Sequence, residues 1–200
     1  MRSLPNLVIA SPKDEQEMRD LVVTAHAHDG PIALLYPRDA GEDLPDRPGE
    51  PLEIGRGEVV RAGDDVLLVG FGPIVQRLVS VAEQLEQDGV SAAVINARWA
   101  KPLDEELLVE HATGKRLVVT AEESAAMGGF GDGVLDALNR GGVSVPLHRV
   151  ALADGFVHHG AVGDLRAQQR IDVPGILGQV REALASTAPP RKRRAKVSAA

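Results

Sequence analysis

The sequence predicts an α/β chain: a mostly parallel sheet flanked by helices, preceded by a shorter strand-helix-strand unit. Three observations predict it. Apolar runs of strand length alternate with longer stretches of helical period, turn residues separate them, and a proline-rich acidic segment divides the chain in two. With 200 residues and 44% apolar content, the chain can bury one full domain and part of another.

"LVIASP" (Leu7 to Pro12) reads as a short buried strand ended by Ser11 and Pro12. "SPKDEQEMRDLVVTAHAH" follows as a helix, with Ser11 placed to cap it, Pro12 in its first turn, and Asp14 and Glu15 opposing the helix dipole. "DGPIALLYPR" gives a turn and a second buried strand ending at Pro37 and Arg38, which makes one parallel crossover unit. A unit of about 40 residues rarely closes a core of its own, so the chain is expected to begin within a domain. Residues 41–55 lie in "DAGEDLPDRPGEPLEIG", with its three prolines, many acids and no apolar period, and are read as a linker.

A larger block, residues 56–186, follows. "DDVLLVGFG" is a buried strand, and the helix after it sets Val75, Leu78, Val79, Ala82 and Leu85 at helical spacing until Gly89 stops it. "VSAAVINAR", "RLVVTAEE" and "VPLHRVAL" are further strands. "DEELLVEHATG", "GDGVLDALNRGG" and "VPGILGQVREALAST" are further helices. Right-handed crossovers place the functional loops at the carboxyl ends of such strands, namely GFGP, ARWAKPLD, EESAAMGGFG and ADGFVHHG.

Composition narrows the function classes. With no cysteine there is no disulfide frame and no thiolate metal site. Neither a signal pattern nor a long uncharged apolar run is present, so no membrane partner is expected and the cytoplasm is the default compartment. Formal charge is −7, but the last ten residues hold Arg191, Lys192, Arg193, Arg194 and Lys196 with no acid, leaving −12 on the preceding 190. Residues 187–200 are read as a disordered basic tail. The acidic body and the absence of an aromatic residue in the tail argue against nucleic acid as the main partner.

GFGP could rest a phosphate on free backbone amides or could be a tight strand-to-helix turn; it lacks the spacing of a dinucleotide fingerprint. MGGFG, after Glu122 and Glu123, poses the same choice between a ligand cradle and close packing. Neighbouring residues of an extended chain point opposite ways, so at most one of the two glutamates faces any one pocket. His158 and His159 are adjacent and unsuited to share one metal from a strand, though a single histidine there could be an acid, a base or a polar contact. Arg38, at a strand's carboxyl end, suits a phosphate or carboxylate, or an ion pair with Asp39, Glu42 or Asp43.

Five blocks in order, "PNLVIASPKDEQEMRDLV", "DGPIALLYPR", "ARWAKPLDEELL", "EESAAMGGFGDGV" and "DGFVHHG" with "LRAQQRIDVPGI", resemble the C-terminal portion of the 1-deoxy-D-xylulose-5-phosphate synthases of the transketolase superfamily. The resemblance covers Arg2 to about Leu184. It implies that residues 1–40 are the end of a pyrimidine-binding domain and residues 56–186 a transketolase C-terminal domain. It also implies the activity, which joins pyruvate to glyceraldehyde 3-phosphate with loss of carbon dioxide and feeds isoprenoid synthesis. Thiamine diphosphate and Mg2+ carry that chemistry in the family, held by segments with no counterpart here. By this resemblance no residue of the chain is catalytic, binds the cofactor or binds metal, and the chain alone is not expected to turn over.

Carried over by position, Arg38 matches the family's YPRG arginine, which helps hold the substrate phosphate, and His159 matches a recurrent His-Gly as a minor contact. EESAAMGGFG matches a loop that packs rather than cradles. The sequence departs from the pattern at Asp39 (YPRD), expected to compete for Arg38, at Arg170, where glycine is usual, and at Asp132, where a small residue is common. The implied partner is the missing N-terminal portion of a synthase or a homologous chain, in a homo- or heterodimer. The alternatives are a non-catalytic docking or dimerisation module and a split subunit resembling the beta subunits of 2-oxo acid dehydrogenases.

Overall fold

The computed structural model of the chain describes residues 1–41 and 43–187, so the predicted basic tail lies, apart from Thr187, outside the described residues. Elements run in the order β1 (Val8–Ala10), α1 (Glu15–Ala27), β2 (Ile32–Leu34), β3 (Glu58–Arg61), β4 (Val66–Gly70), α2 (Ile74–Gln87), β5 (Ala92–Asn96), β6 (Trp99–Lys101), α3 (Glu105–Ala112), β7 (Leu117–Ala125), α4 (Phe130–Arg140), β8 (Leu147–Leu152), α5 (Val162–Gln168) and α6 (Val173–Ser186).

The larger sheet has the order β3-β5-β4-β7-β8. Its four C-terminal strands are parallel, while β3 is an antiparallel edge to β5. Alternate side chains of β4 and β7 feed two cores on opposite faces, because successive strand residues point opposite ways. Val66, Leu68 and Val119 meet Val75, Leu78, Leu85 and Ile176 of α2 and α6. Leu67, Val69 and Val118 meet Leu108, Phe130 and Val134 of α3 and α4. β4 is apolar throughout, and β7 over Leu117–Val119, because both faces are covered there.

The smaller sheet, β2-β1-β6, corrects three expectations. ARWAKPLD is not all loop: Trp99–Lys101 pairs antiparallel with β1, opposing Ala10 to Trp99 and Ile9 to Lys101. That strand, supplied by the larger domain, helps cover the strand-helix-strand unit, and Trp99 is fully buried against it. β2 is half-buried rather than buried, because it lies at the sheet's edge. Ser11 does not cap α1; Asp14 does, accepting from the Glu17 amide at 2.7 Å, while the Ser11 hydroxyl donates to the Leu35 carbonyl at 2.6 Å.

The described residues of 41–55 hold no helix or strand and form a strap tied along α1. Gln16, Asp20 and Thr24, four residues apart and so on one helix face, are all buried beneath it. Arg47 grips both carboxylate oxygens of Asp20 at 2.9 and 2.7 Å, the Glu50 amide donates to Asp20 at 2.8 Å, and the Leu52 amide donates to the Thr24 hydroxyl at 2.8 Å. Burial works against the charged form of Asp20, but the Arg47 guanidinium and the Glu50 amide outweigh it and hold the carboxyl below its usual range.

Candidate functional site

The carboxyl ends of β2, β4 and β7 converge where the two sheets meet, and a cleft of about 310 Å³ opens there. Tyr36 and Asp39 form one wall, Gln76 and Arg77 of α2 and Arg166 of α5 another, and Lys13 sits at the base of α1. A second cavity of about 240 Å³, lined by Ser11, Phe71, Glu123 and Ser124, lies on the other side of Tyr36-Pro37.

Arg38 is exposed next to this cleft and makes no hydrogen bond or ion pair among the described residues. The expected competition from Asp39 is not what the structure shows. Asp39 turns to Arg166, 3.0 Å away, and accepts from the Ala40 amide at 3.0 Å. Arg166 in turn reaches Glu123 at 3.2 Å, and Arg77 pairs with the same carboxylate. Asp39 therefore ties the end of the small sheet to α5 and leaves the Arg38 guanidinium presented to solvent.

Below the cleft a buried polar cluster joins the two units, and sequence reasoning missed it. Glu17, 3% exposed, accepts from Arg98 Nε at 2.7 Å, Asn96 Nδ2 at 2.8 Å and the Lys13 amide at 2.7 Å. Arg98 also reaches Glu58 at 3.2 Å and donates to the Arg56 carbonyl at 3.1 Å. Lys13 Nζ closes the cluster on Glu58 at 2.8 Å. Burial pushes Lys13 down, but Glu17 and then Glu58 outweigh it and raise the ammonium above its ordinary value. Burial likewise pushes Glu58 up, and Lys13, Asn96 and Arg98 together hold it low. Arg98 adopts φ 59°, a left-handed conformation that costs an ordinary side chain about 1 kcal/mol and persists here under three hydrogen bonds. No local signal marked it, because Glu17 and Arg98 lie 81 positions apart in the sequence.

EESAAMGGFG is packed from within. Glu122, 1% exposed, turns inward and accepts from the Phe130 and Gly131 amides at 2.8 Å each and from the Ser124 hydroxyl. An internal carboxylate thus occupies the N-terminus of α4, the place an anionic ligand would take. A Cβ on Gly129 would lie 2.4 Å from the Ala125 carbonyl oxygen and 2.6 Å from Glu122 Oε2, so this glycine admits both the turn of the backbone and the carboxylate. Glu123 points the other way, as an extended chain requires.

In GFGP, Gly72 has φ 85°, and a side chain there would collide with the Ser11 hydroxyl. Phe71 stacks on Phe130 with ring centroids 5.3 Å apart, so the two glycine loops support each other across the strand ends.

His158 and His159 are exposed in the segment after β8, and His159 makes no hydrogen bond among the described residues. Asp132 accepts from the Gly128 amide at 2.7 Å and pairs with Arg149, so this departure steadies the glycine loop. Arg170 sits just past α5 at φ 57°. There its amide bonds the Ala167 carbonyl and the Ile171 amide bonds the Arg166 carbonyl, the glycine-preferring end of a Schellman turn.

A diphosphate-magnesium group of the kind the resemblance implies does not fit the glycine turns of this chain. One is filled by Glu122 and the other by Ser11. Among the described residues, no three His, Cys, Asp or Glu side chains are grouped to hold a metal ion. Nor is any helix among them long and apolar enough to cross a membrane.

The family described as "Transketolase, C-terminal domain" matches residues 55–176. The 1-deoxy-D-xylulose-5-phosphate synthase of Crocosphaera subtropica is 44% identical over 193 residues, covering 95% of this chain and 30% of that protein. That of Thermosynechococcus vestitus is 46% identical over 177 residues, covering 87% and 28%. A solved structure described as "Split gene transketolase, inactive beta4 tetramer" superposes with a TM-score of 0.81 at 30% identity, over 94% of this chain and 61% of that one. The chain spans about three-tenths of the length of the curated relatives it matches. On the match over residues 55–176, the chain belongs to the transketolase C-terminal domain family.

Proposed function

We propose that the chain is the C-terminal part of a thiamine-diphosphate-dependent 1-deoxy-D-xylulose-5-phosphate synthase. It acts in the cytoplasm, together with the portion of a synthase that supplies the cofactor site. The observation that carries this reading is the 44% identity to such a synthase over 95% of the chain. The reaction condenses pyruvate with glyceraldehyde 3-phosphate and releases carbon dioxide. Thiamine diphosphate, when bound with Mg2+ by that portion, supplies the carbanion chemistry. This chain's contribution is recognition: Arg38, whose neighbouring acid is engaged by Arg166, holds the substrate phosphate through paired hydrogen bonds. His159, exposed after β8, is a minor contact at most.

The test is co-expression with the N-terminal portion of the Crocosphaera subtropica synthase, followed by an assay for pyruvate-dependent release of carbon dioxide. Product is expected from the complex and none from the chain alone. Arg38→Ala should raise the KM for glyceraldehyde 3-phosphate about tenfold or more, the loss of one charge-assisted contact, with a smaller change for pyruvate. Absence of product from a folded complex would favour a second reading, a non-catalytic assembly module. The structural neighbour, an inactive tetramer of a split-gene transketolase, is the observation on its side.

A further inference from the structure

A row of alternating charges at the cleft ends beside Arg38. Arg77 of α2 and Arg166 of α5 both reach Glu123, near the end of β7. Because Arg77 shares that carboxylate, Arg166 can also serve a second acid, and its Nη1 lies 3.0 Å from Asp39 Oδ2. The other oxygen of Asp39 accepts from the Ala40 amide at 3.0 Å. Both oxygens are thus occupied away from Arg38, the neighbouring residue in the chain. Three guanidiniums to two carboxylates leave the row one positive charge in excess, and Arg38 is its member with no partner among the described residues.

The sequence makes such an arrangement necessary. Consecutive Cα atoms lie about 3.8 Å apart, so Asp39 acts on whatever Arg38 holds across a distance comparable to the Debye length of about 8 Å. A bare carboxylate there would pair with the Arg38 guanidinium or repel an approaching phosphate dianion. Arg166 cancels that charge. The pair is itself partly exposed, 24% for Arg166 and 39% for Asp39, so it adds little to stability. What it changes is the field at Arg38.

We infer that Arg166 is a positioning residue for phosphate recognition: by holding Asp39 it masks the acid beside Arg38 and keeps that guanidinium free for the substrate's phosphate. This deepens, and rests on, the reading of Arg38 as the phosphate contact. A mask and a mere tether differ in sign. If the ion pair only fastened the end of the small sheet to α5, losing either partner would harm binding alike. As a mask, its two members act oppositely. Removing Arg166 leaves the row neutral, removing Asp39 leaves it more positive, and removing both restores its net charge.

The test reads the KM for glyceraldehyde 3-phosphate in the co-expressed complex beside the rate at which phenylglyoxal modifies Arg38 in the full chain alone, mapped by mass spectrometry. Phenylglyoxal attacks the deprotonated guanidine, so an unmasked carboxylate next to Arg38, which favours the charged form, slows it. Arg166→Ala should raise the KM about threefold, more than it changes kcat, and slow the modification about threefold, each the effect of one partly screened charge. Asp39→Ala should lower the KM and quicken the modification. Arg166→Ala combined with Asp39→Ala should return both to within about twofold of wild type. All these differences should shrink as salt is raised. Recovery in the double variant, which lacks the pair altogether, also separates masking from loss of folding. Equal harm from the two single variants, or no recovery in the double, overturns the inference in favour of a tether. Modification rates that follow the masking pattern, with no product or with a KM indifferent to Arg38→Ala, sink the phosphate reading and spare the mask. A KM that responds to Arg38→Ala but not to Arg166→Ala does the reverse.

Discussion

Two adjacent strands, β4 and β7, end in glycine loops that start helices, and their contents differ. α4 begins on Glu122, a buried carboxylate that takes two backbone amides. α2 begins at Pro73 with no side-chain cap and no acid in its first turn, and its loop glycine is pressed instead against Ser11 of the small unit. One glycine makes room for the chain's own anion, the other for a neighbouring unit. In both loops the glycine marks a fit between protein parts, and the same letters would mark a phosphate cradle only if those places were vacant.

The comparison breaks most readily at Glu122. Glu122→Ala strands two buried amides and should cost about 3 kcal/mol, read as a fall in the denaturant midpoint. An unchanged midpoint would mean that the carboxylate merely fills space. Gly72→Ala forces a side chain into a left-handed turn against Ser11 and should cost about 2 kcal/mol. Ser11→Gly in the same chain should recover part of that, and equal melting of the single and double variants would show that strain alone is at work.

A buried carboxylate also ties the strap to α1, which allows a comparison by pH. Asp20 is held below its unfolded value of about 3.9, so its contribution is fully present above that pH and is lost as pH falls through the lower folded value. Exchange at the amides of Glu50 and Leu52 should therefore stay slow at neutral pH and quicken only below about pH 4, and Asp20→Asn should quicken it at every pH. Release beginning near pH 6 would point to another group.

The smallest effect separates conformation from crowding. Arg170 shares the positive φ of Gly72 but only an exposed ion pair with Glu182 engages its guanidinium. Arg170→Gly should gain about 0.5 kcal/mol, the relief of the turn less a weak surface pair. A loss would show that the side chain supports α6.

Most of the architecture was legible because apolar period reports burial directly. β4, β5 and β7 read as buried strands, and α2 showed its apolar stripe. Trp99–Lys101 did not read as a strand because three residues ending beside Pro102 carry no alternation; its pairing with β1 makes it one. The linker's bond to α1 was hidden for a related reason: Gln16, Asp20 and Thr24 look like a solvated face until partners far along the chain cover them. Resemblance pointed to Arg38, and the structure added that Asp39 is otherwise engaged. Arg98 and Glu17 escaped notice because a charge buried by a partner 81 positions away leaves no local mark.

The insertion of β6 into the small sheet also sets an order of events during synthesis. β1 emerges from the ribosome roughly ninety residues before the strand that flanks it, and closing so long a loop is slow compared with forming local helix. Until Trp99 and Lys101 have been made, β1 lacks its antiparallel neighbour and Glu17 lacks its guanidinium. The earlier-made of these two units is thus the later to be finished, and for that interval it is a natural client for a chaperone.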